Sequence, residues 1–364
     1  MALDLLRVLA SQFVLVFHAT SFFGIFKSLE PPYIPYLQNV AVVIFFLLSG
    51  FLISYTVMRK LPDPQYGMRQ FLIDRFSRIY SAYLPILFLI IIIDLYHIYY
   101  NSSSYVHLGA FDIKTFFVNL FMFQDFPLFN IGTSFGSARP FWTIAIEWWI
   151  YLSFGYLFFA IYRRLQNNLS ISIVHVVIFL GVSIVPVYNI VSGRGNGLTM
   201  VWILGALIML LLFKTKLPVV KPTHLYFISF LFLILSAMRA YKTKEAYDLL
   251  FASLLAIALF FLIYALQNNN CFKSKLLNRC ISVMAKYSFT LYLIHYSILE
   301  IIRLYIGSIS PYILLGISFV FCNLLSLFIA YFTEMRYKSI AERLKTWTEV
   351  FFTDRGIRRD INKY

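Results

Sequence analysis

Apolar residues run along this chain in blocks of roughly twenty, separated by short polar stretches. Ten blocks are long enough to cross about 30 Å of hydrocarbon as helices. They lie near 5–23, 38–58, 81–100, 140–162, 172–191, 198–213, 224–240, 249–266, 287–306 and 312–333, and the one at 198–213 is short. The pattern predicts an all-α integral membrane protein, a bundle of about ten transmembrane helices.

The polar connections between the blocks carry an orientation. Arg59, Lys60, Arg69, Arg75 and Arg78 cluster between the second and third blocks. The connections after the fourth, sixth and eighth blocks are also basic, as is the C-terminal stretch. The opposite connections hold only Lys27, Lys114, Arg139, Arg194, Arg239, Lys242 and Lys244. Lys and Arg collect on cytoplasmic loops, so both termini are expected in the cytoplasm. Residues 1–335 then form a transmembrane domain and 336–364 a cytoplasmic tail. Within the tail, Ile340, Leu344, Trp347 and Phe351 share one helical face, which predicts a helix lying on the inner leaflet. The outer stretch 101–139 is long, and its segment "FFVNLFMFQDFPLF" is apolar enough to dip into the interface. Loops of this length are uncommon unless functional.

Composition agrees with the pattern. Apolar residues make up 60% of the chain and charged ones 13%, against about 25% charged in soluble domains. The net charge of +15 follows from topology, so no nucleic-acid partner is expected and membrane lipids are. Cys271, Cys280 and Cys322 have neither disulfide-framework nor CxxC spacing. No histidine set has HExxH spacing, so no metal is expected. "SGRGNGL" at 192–198 lacks GK[ST] and reads as a turn. The first block has no cleavage signature and reads as a retained span.

Ionisable residues inside the blocks are costly and therefore informative. Arg7 and His18 sit eleven residues apart, which returns them to within about 20° on one helical face and separates them by about 16 Å along the axis. An anionic group held by Arg7 near the inner surface would present something reactive to His18 in the outer half. Glu147, in "FWTIAIEWWIY", reaches a similar depth from the outside and is the expected partner of His18. A carboxylate there would fix the imidazole tautomer and support a general base. Trp142 and Tyr151 flank Glu147 and are expected to line an acceptor cleft. Arg75 and Arg78, three apart in "IDRFSRIY", suit phosphate recognition at the inner mouth. His97 and His107 lie near the outer surface, where solvation accounts for them.

These stretches together resemble the acyltransferase-3 family of integral membrane acyltransferases, in its stand-alone form without an SGNH-type domain. The resemblance covers residues 3 to 335 and rests on Arg7 with ten residues before His18, "FFLLSGFLIS" at 45–54, "RFSRIY" at 75–80, "FWTIAIEWWIY" at 141–151 and "YSFTLYLIH" at 287–295. It implies an acyl-CoA donor, most often acetyl-CoA, and a sugar hydroxyl of an extracytoplasmic glycan or lipid-linked glycan as acceptor, in a bacterial inner membrane. It implicates Arg7, Arg75 and Arg78 in holding CoA phosphates, with His18 as base and Glu147 as its assistant. Ser49, Tyr292 and His295 match motif positions, the last two as substrate-pocket residues. Direct transfer and transfer through a covalent intermediate both fit. The chain departs from the pattern at "YFTEMRYK", where the family often has proline after the glutamate, so Glu334 is left unassigned. A different class also fits the same polar residues: a proton-coupled transporter or a flippase of a lipid-linked sugar, with His18 and Glu147 as relay.

Overall fold

A computed structural model describes residues 2–126, 132–214, 218, 220–267 and 274–354. Cys271 and the basic residues beyond 354 lie outside the described residues. The elements in chain order are α1 (Ala2–Phe23), α2 (Leu37–Lys60), α3 (Met68–Asn101), α4 (Ile113–Leu120), α5 (Phe141–Tyr156), α6 (Arg163–Gln166), α7 (Ile173–Val191), α8 (Leu198–Lys214), α9 (Pro222–Thr243), α10 (Leu249–Gln267), α11 (Lys275–Ile306), α12 (Pro311–Phe332) and α13 (Tyr337–Asp354), with a π-helical segment, Leu157–Tyr162, joining α5 to α6. Nine helices among the described residues are long and apolar enough to cross a membrane, and Leu198–Phe213 is a shorter apolar helix. The protein is therefore a multi-pass helical membrane bundle, and the short block read at 198–213 is a helix too.

Two helices extend well beyond their apolar blocks. The block at 81–100 belongs to α3, which begins at Met68, and the block at 287–306 belongs to α11, which begins at Lys275. Hydropathy marks the part of a helix in hydrocarbon, not where its hydrogen bonds end. The polar first turns of α3 persist because other elements hold them. Asp74 takes Lys60 Nζ at 2.9 Å and Lys345 Nζ at 2.5 Å, and Tyr66 donates to it at 2.6 Å. Arg75 and Arg78 consequently stand on rigid helix rather than in a loop.

α2 and α11 are the most buried spans, while α7 and α9 are among the least. α1 packs against α11, α2 and α12, whereas α5 packs against α7 and α3. The contact of α2 with α8 depends on two glycines. A Cβ on Gly50 would sit 1.9 Å from the Trp202 carbonyl oxygen, and one on Gly205 2.0 Å from that of Leu47. Small residues let membrane helices approach this closely and gain dispersion contacts that lipid tails do not replace.

The outer connection seats on the bundle. Asp112 caps α4, accepting from Thr115 Oγ1 at 2.6 Å and Thr115 N at 2.9 Å, and these bonds hold its carboxyl below the usual carboxylate range. Tyr83 Oη donates to Asn119 O at 2.8 Å, Gln124 Nε2 to Phe141 O at 3.0 Å, and Trp149 Nε1 to Met122 O at 2.8 Å. Phe117 and Phe121 stay exposed. At the other end, α13 packs along α3. The apolar face expected of the tail is split between two neighbours. Ile340 and Leu344 are half-buried beside buried Ala341, while Trp347 and Phe351 point outward with ring centroids 5.6 Å apart.

Candidate active site

A cavity of about 250 Å³ opens between α1, α2, α3, α5 and α11 toward the basic end of the bundle. Arg7, Arg75, Arg78, Ser49, Glu147 and Tyr151 line it. The three arginines expected at one mouth are thus brought together, on helices far apart in sequence. Their situations differ. Arg78 Nη2 donates to Glu334 Oε1 at 2.9 Å, and its guanidinium lies 4.9 Å from the centre of the Tyr337 ring. Glu334 is fully buried, and its other oxygen accepts from Thr290 N at 2.9 Å and Thr290 Oγ1 at 2.8 Å. Arg78 is a clamp between α3, α11 and the turn after α12. Arg75 is different, because its buried Nε has no hydrogen-bond partner among the described residues. Arg7 lines the same space, within the electrostatic reach of Glu334 and Arg78.

Glu147 does not meet His18. Tyr151 Oη donates to Glu147 Oε1, Ser49 Oγ and Tyr151 Oη lie 2.8 Å apart, and Trp202 Nε1 donates to Ser49 Oγ at 3.2 Å. The carboxylate therefore belongs to a network joining α5, α2 and α8 on the cavity wall. The reading from depth failed in two ways. α1 and α5 have different packing neighbours, and the two groups are at different levels. Thr143 and Tyr292 hydroxyls, 2.7 Å apart, tie α5 to α11 at the outer end of the cavity. Glu147 lies one turn inward of Thr143, and His295 nearly one turn outward of Tyr292. That separates carboxylate and histidine by about 10 Å along the axes.

His18 pairs with His295 instead. His295 Nδ1 faces the carbonyls of Tyr292 at 2.8 Å and Leu291 at 3.1 Å. Carbonyls only accept, so this nitrogen carries the proton and Nε2 holds a lone pair. That Nε2 is 3.2 Å from His18 Nδ1, which also faces the Val14 carbonyl at 3.0 Å. Both neighbours accept, so His18 Nδ1 is protonated and its Nε2 is left as the basic nitrogen. The tautomer-fixing role expected of Glu147 falls to His295, by the same logic that sets any catalytic imidazole. Tyr296 packs edge-on against His18 at 5.6 Å between centroids.

Trp142 and Tyr151, expected to line one acceptor cleft on either side of Glu147, are separated by about 14 Å of helix. Tyr151 is on the inner cavity wall, whereas Trp142 is at the outer end under the Arg194 guanidinium, 4.6 Å from its centre. Tyr292 lines the cavity's outer end and His295 lies just beyond. The two outer histidines are not solvated as expected. His97, on α3, is buried and 3.0 Å from Ser104 Oγ, and His107, on the outer connection, has its Nε2 3.0 Å from Glu300 Oε1.

The geometry so far describes an arginine-lined inner cavity with a tautomer-fixed imidazole beyond it. The family model described as an acyltransferase domain matches residues 2–333. The chain belongs to the acyltransferase-3 family. A Haemophilus influenzae protein, described as an uncharacterized protein, is 23% identical over 136 residues, which are 37% of this chain and 56% of that protein. The chain therefore spans little more than half the length of that relative. No solved structure matches it.

Several residues in and around the cavity were not singled out from the sequence. Thr143 stands one turn before Glu147 and Tyr151 one turn after it, so the three occupy one stripe of α5. That spacing was available in the sequence. Glu334 was not readable as a partner of Arg78, since 256 residues separate them. Trp202 was hidden in a fully apolar block.

Proposed function

We propose that this acyltransferase moves an acetyl or other acyl group from cytoplasmic acyl-CoA to a hydroxyl of an extracytoplasmic polysaccharide or lipid-linked glycan, in a bacterial inner membrane. The observation that carries this reading is the His18–His295 pair, which leaves His18 Nε2 as a base just beyond a cation-lined cavity. The cavity, at about 250 Å³, is smaller than the roughly 300–1,000 Å³ that encloses a drug-sized ligand. It suits the pantetheine arm and acyl end, with the nucleotide at the mouth. The orphaned Nε of Arg75 is a built donor for phosphate there, joined by Arg7. Arg78, already engaged by Glu334, shapes the mouth and contributes field more than a contact.

In the proposed reaction His18 Nε2 removes the proton from the acceptor hydroxyl. The oxygen attacks the thioester carbonyl, a C–O bond forms, and the C–S bond breaks. The departing thiolate takes the proton from His18, restoring the free base. His295 accepts from His18 Nδ1–H throughout and holds the ring. Glu147, Tyr151 and Ser49 shape the channel along which the acyl arm passes, below Tyr292.

The test is the thermal stability of detergent-purified protein with coenzyme A and acetyl-CoA. Saturable stabilisation is expected, weakened by Arg75→Ala and by dephospho-CoA. Absence of stabilisation at millimolar ligand would overturn the donor site and favour proton-coupled transport.

A further inference from the structure

We propose that Tyr292, tied to Thr143 and flanked by Phe45, is the end wall of the donor cavity and limits the transferred acyl group to the shortest chains. The proposal rests on the reading of that cavity as an acyl-CoA site and adds what decides chain length within it.

Three helices build the wall. Tyr292 stands on α11, and its ring reaches across to α5, where its hydroxyl lies 2.7 Å from Thr143 Oγ1. Thr143 Oγ1 is also 2.9 Å from Pro140 O. A carbonyl only accepts, so the single threonine proton goes there and Tyr292 donates to Thr143. The ring is thereby fixed at both ends, by its backbone on α11 and by its hydroxyl on α5. From α2, the Phe45 ring stands edge-on to it at 5.5 Å between centroids. The His295 ring is 6.0 Å away. Tyr292 is only 7% exposed. Phe45, Thr143 and Tyr292 all line the cavity, while His18 and His295 do not. A bar of side chains from α2, α5 and α11 therefore closes the space just short of the base.

Lengths decide what this bar does. Ile53 and Phe45 line the cavity from α2, and Tyr151 and Thr143 line it from α5. Each pair is eight residues apart, so both helices put the bar about 12 Å from the inner end of the lining. The pantetheine arm between phosphate and sulfur has about twelve chain atoms, the backbone of about four residues, and spans roughly 14 Å when extended. A phosphate held at the arginines of the mouth therefore brings the sulfur up to the bar with little length to spare. The thioester carbonyl then stands at the level of Tyr292, nearly one turn inward of His295, and the acyl chain meets the ring. An acetyl group ends there. Each further methylene has to displace a ring held by a hydrogen bond and an aromatic neighbour, and a packed wall resists such insertion.

The probes are coenzyme A and its acetyl, butyryl and hexanoyl thioesters, titrated calorimetrically into the purified full-length protein. Each thioester is read as its affinity relative to coenzyme A in the same variant. That ratio separates a length gauge from a tie that merely joins α5 to α11, which would shift all four ligands alike. In the wild type, butyryl-CoA should bind at least about tenfold more weakly than acetyl-CoA, the lower bound for one surplus methylene, and hexanoyl-CoA more weakly still. Tyr292→Ala should abolish most of that difference. Phe45→Ala opens the same wall from α2 and should relax it in part, so the test survives if Tyr292→Ala does not fold. Tyr292→Phe keeps the ring and loses the tie, and should soften the preference without erasing it. Equal relative binding of acetyl- and hexanoyl-CoA in the wild type would overturn the gauge while leaving the donor site standing. So would a wild-type preference that neither Tyr292→Ala nor Phe45→Ala alters. Failure of coenzyme A itself to bind would overturn the donor reading, and the gauge with it.

Discussion

At the inner end, Arg78 is locked by a buried glutamate while Arg75, one turn away on the same helix, keeps an orphaned donor. At the outer end, Arg194 lies 3.9 Å from Asp125 and over the Trp142 ring, and His18 is held by a second imidazole. The inner end commits Arg78 to holding helices together and leaves the Arg75 Nε without a partner among the described residues. The outer end holds its two imidazoles through backbone carbonyls, which need no counter-charge. The difference teaches that arginines lining one cavity are not equivalent, and that charge within a membrane bundle is either paired for structure or left open for chemistry.

The sharpest way to break this division is at His18. His18→Ala should lower acyl transfer by about 10²- to 10⁴-fold, the range for losing a positioned base, with coenzyme A stabilisation retained. Turnover near wild type in that variant would remove the base assignment altogether. His295 tests the outer arrangement separately. His295→Phe should lose about tenfold, the order expected for one hydrogen bond, and His295→Gln should recover part of it through its carbonyl oxygen. A merely structural histidine would show no such recovery.

Arg78 and Arg75 sharpen the inner half of the contrast. Arg78→Ala leaves the buried Glu334 without its hydrogen-bonded cation, and should destabilise by about 3 kcal/mol, the lower end for breaking a buried pair. A thermal melt reads this directly. Arg75→Ala should leave the melt unchanged and weaken donor binding instead. Exchanged phenotypes would refute the assignment of one arginine to structure and the other to ligand. Gly50→Ala probes packing without touching charge: its Cβ would collide with the Trp202 carbonyl, and overpacking of this kind costs about 1–3 kcal/mol.

Much of this was legible beforehand, for a definite reason. Apolar block length marks crossings, so the spans emerged from sequence, including the short one at 198–213. Arg7, Arg75 and Arg78 reached one mouth because the basic connections fix which ends of the helices meet. The His18–Glu147 contact failed because residue spacing gives depth and face on one helix, but not which helices are neighbours. α1 packs mainly on α11, α2 and α12, so the imidazole found His295. Glu334 stayed hidden because a buried carboxylate just past a span looks like any loop residue until its cation is placed. Trp142 and Tyr151, expected to flank Glu147 in one cleft, stand at opposite ends of the cavity because of the length of helix between them.

The smallest expected effect concerns the tail, and it separates anchoring by protein from anchoring by lipid. α13 is held to α3 by Lys345 on Asp74 and to the cavity mouth by Tyr337 against Arg78. Trp347 and Phe351 face the other way, stacked and exposed. Trp347→Phe should therefore shift stability by no more than about 0.5 kcal/mol, as for a surface change, and leave donor binding unaltered. Its signature is spectroscopic. Brominated lipids should quench wild-type tryptophan fluorescence more than that of the variant if the exposed Trp347 meets the bilayer surface, as the amphipathic tail pattern predicts. Equal quenching would place this face in water, and α13 would then be a strut across the inner mouth held by Asp74 and Arg78 without help from lipid.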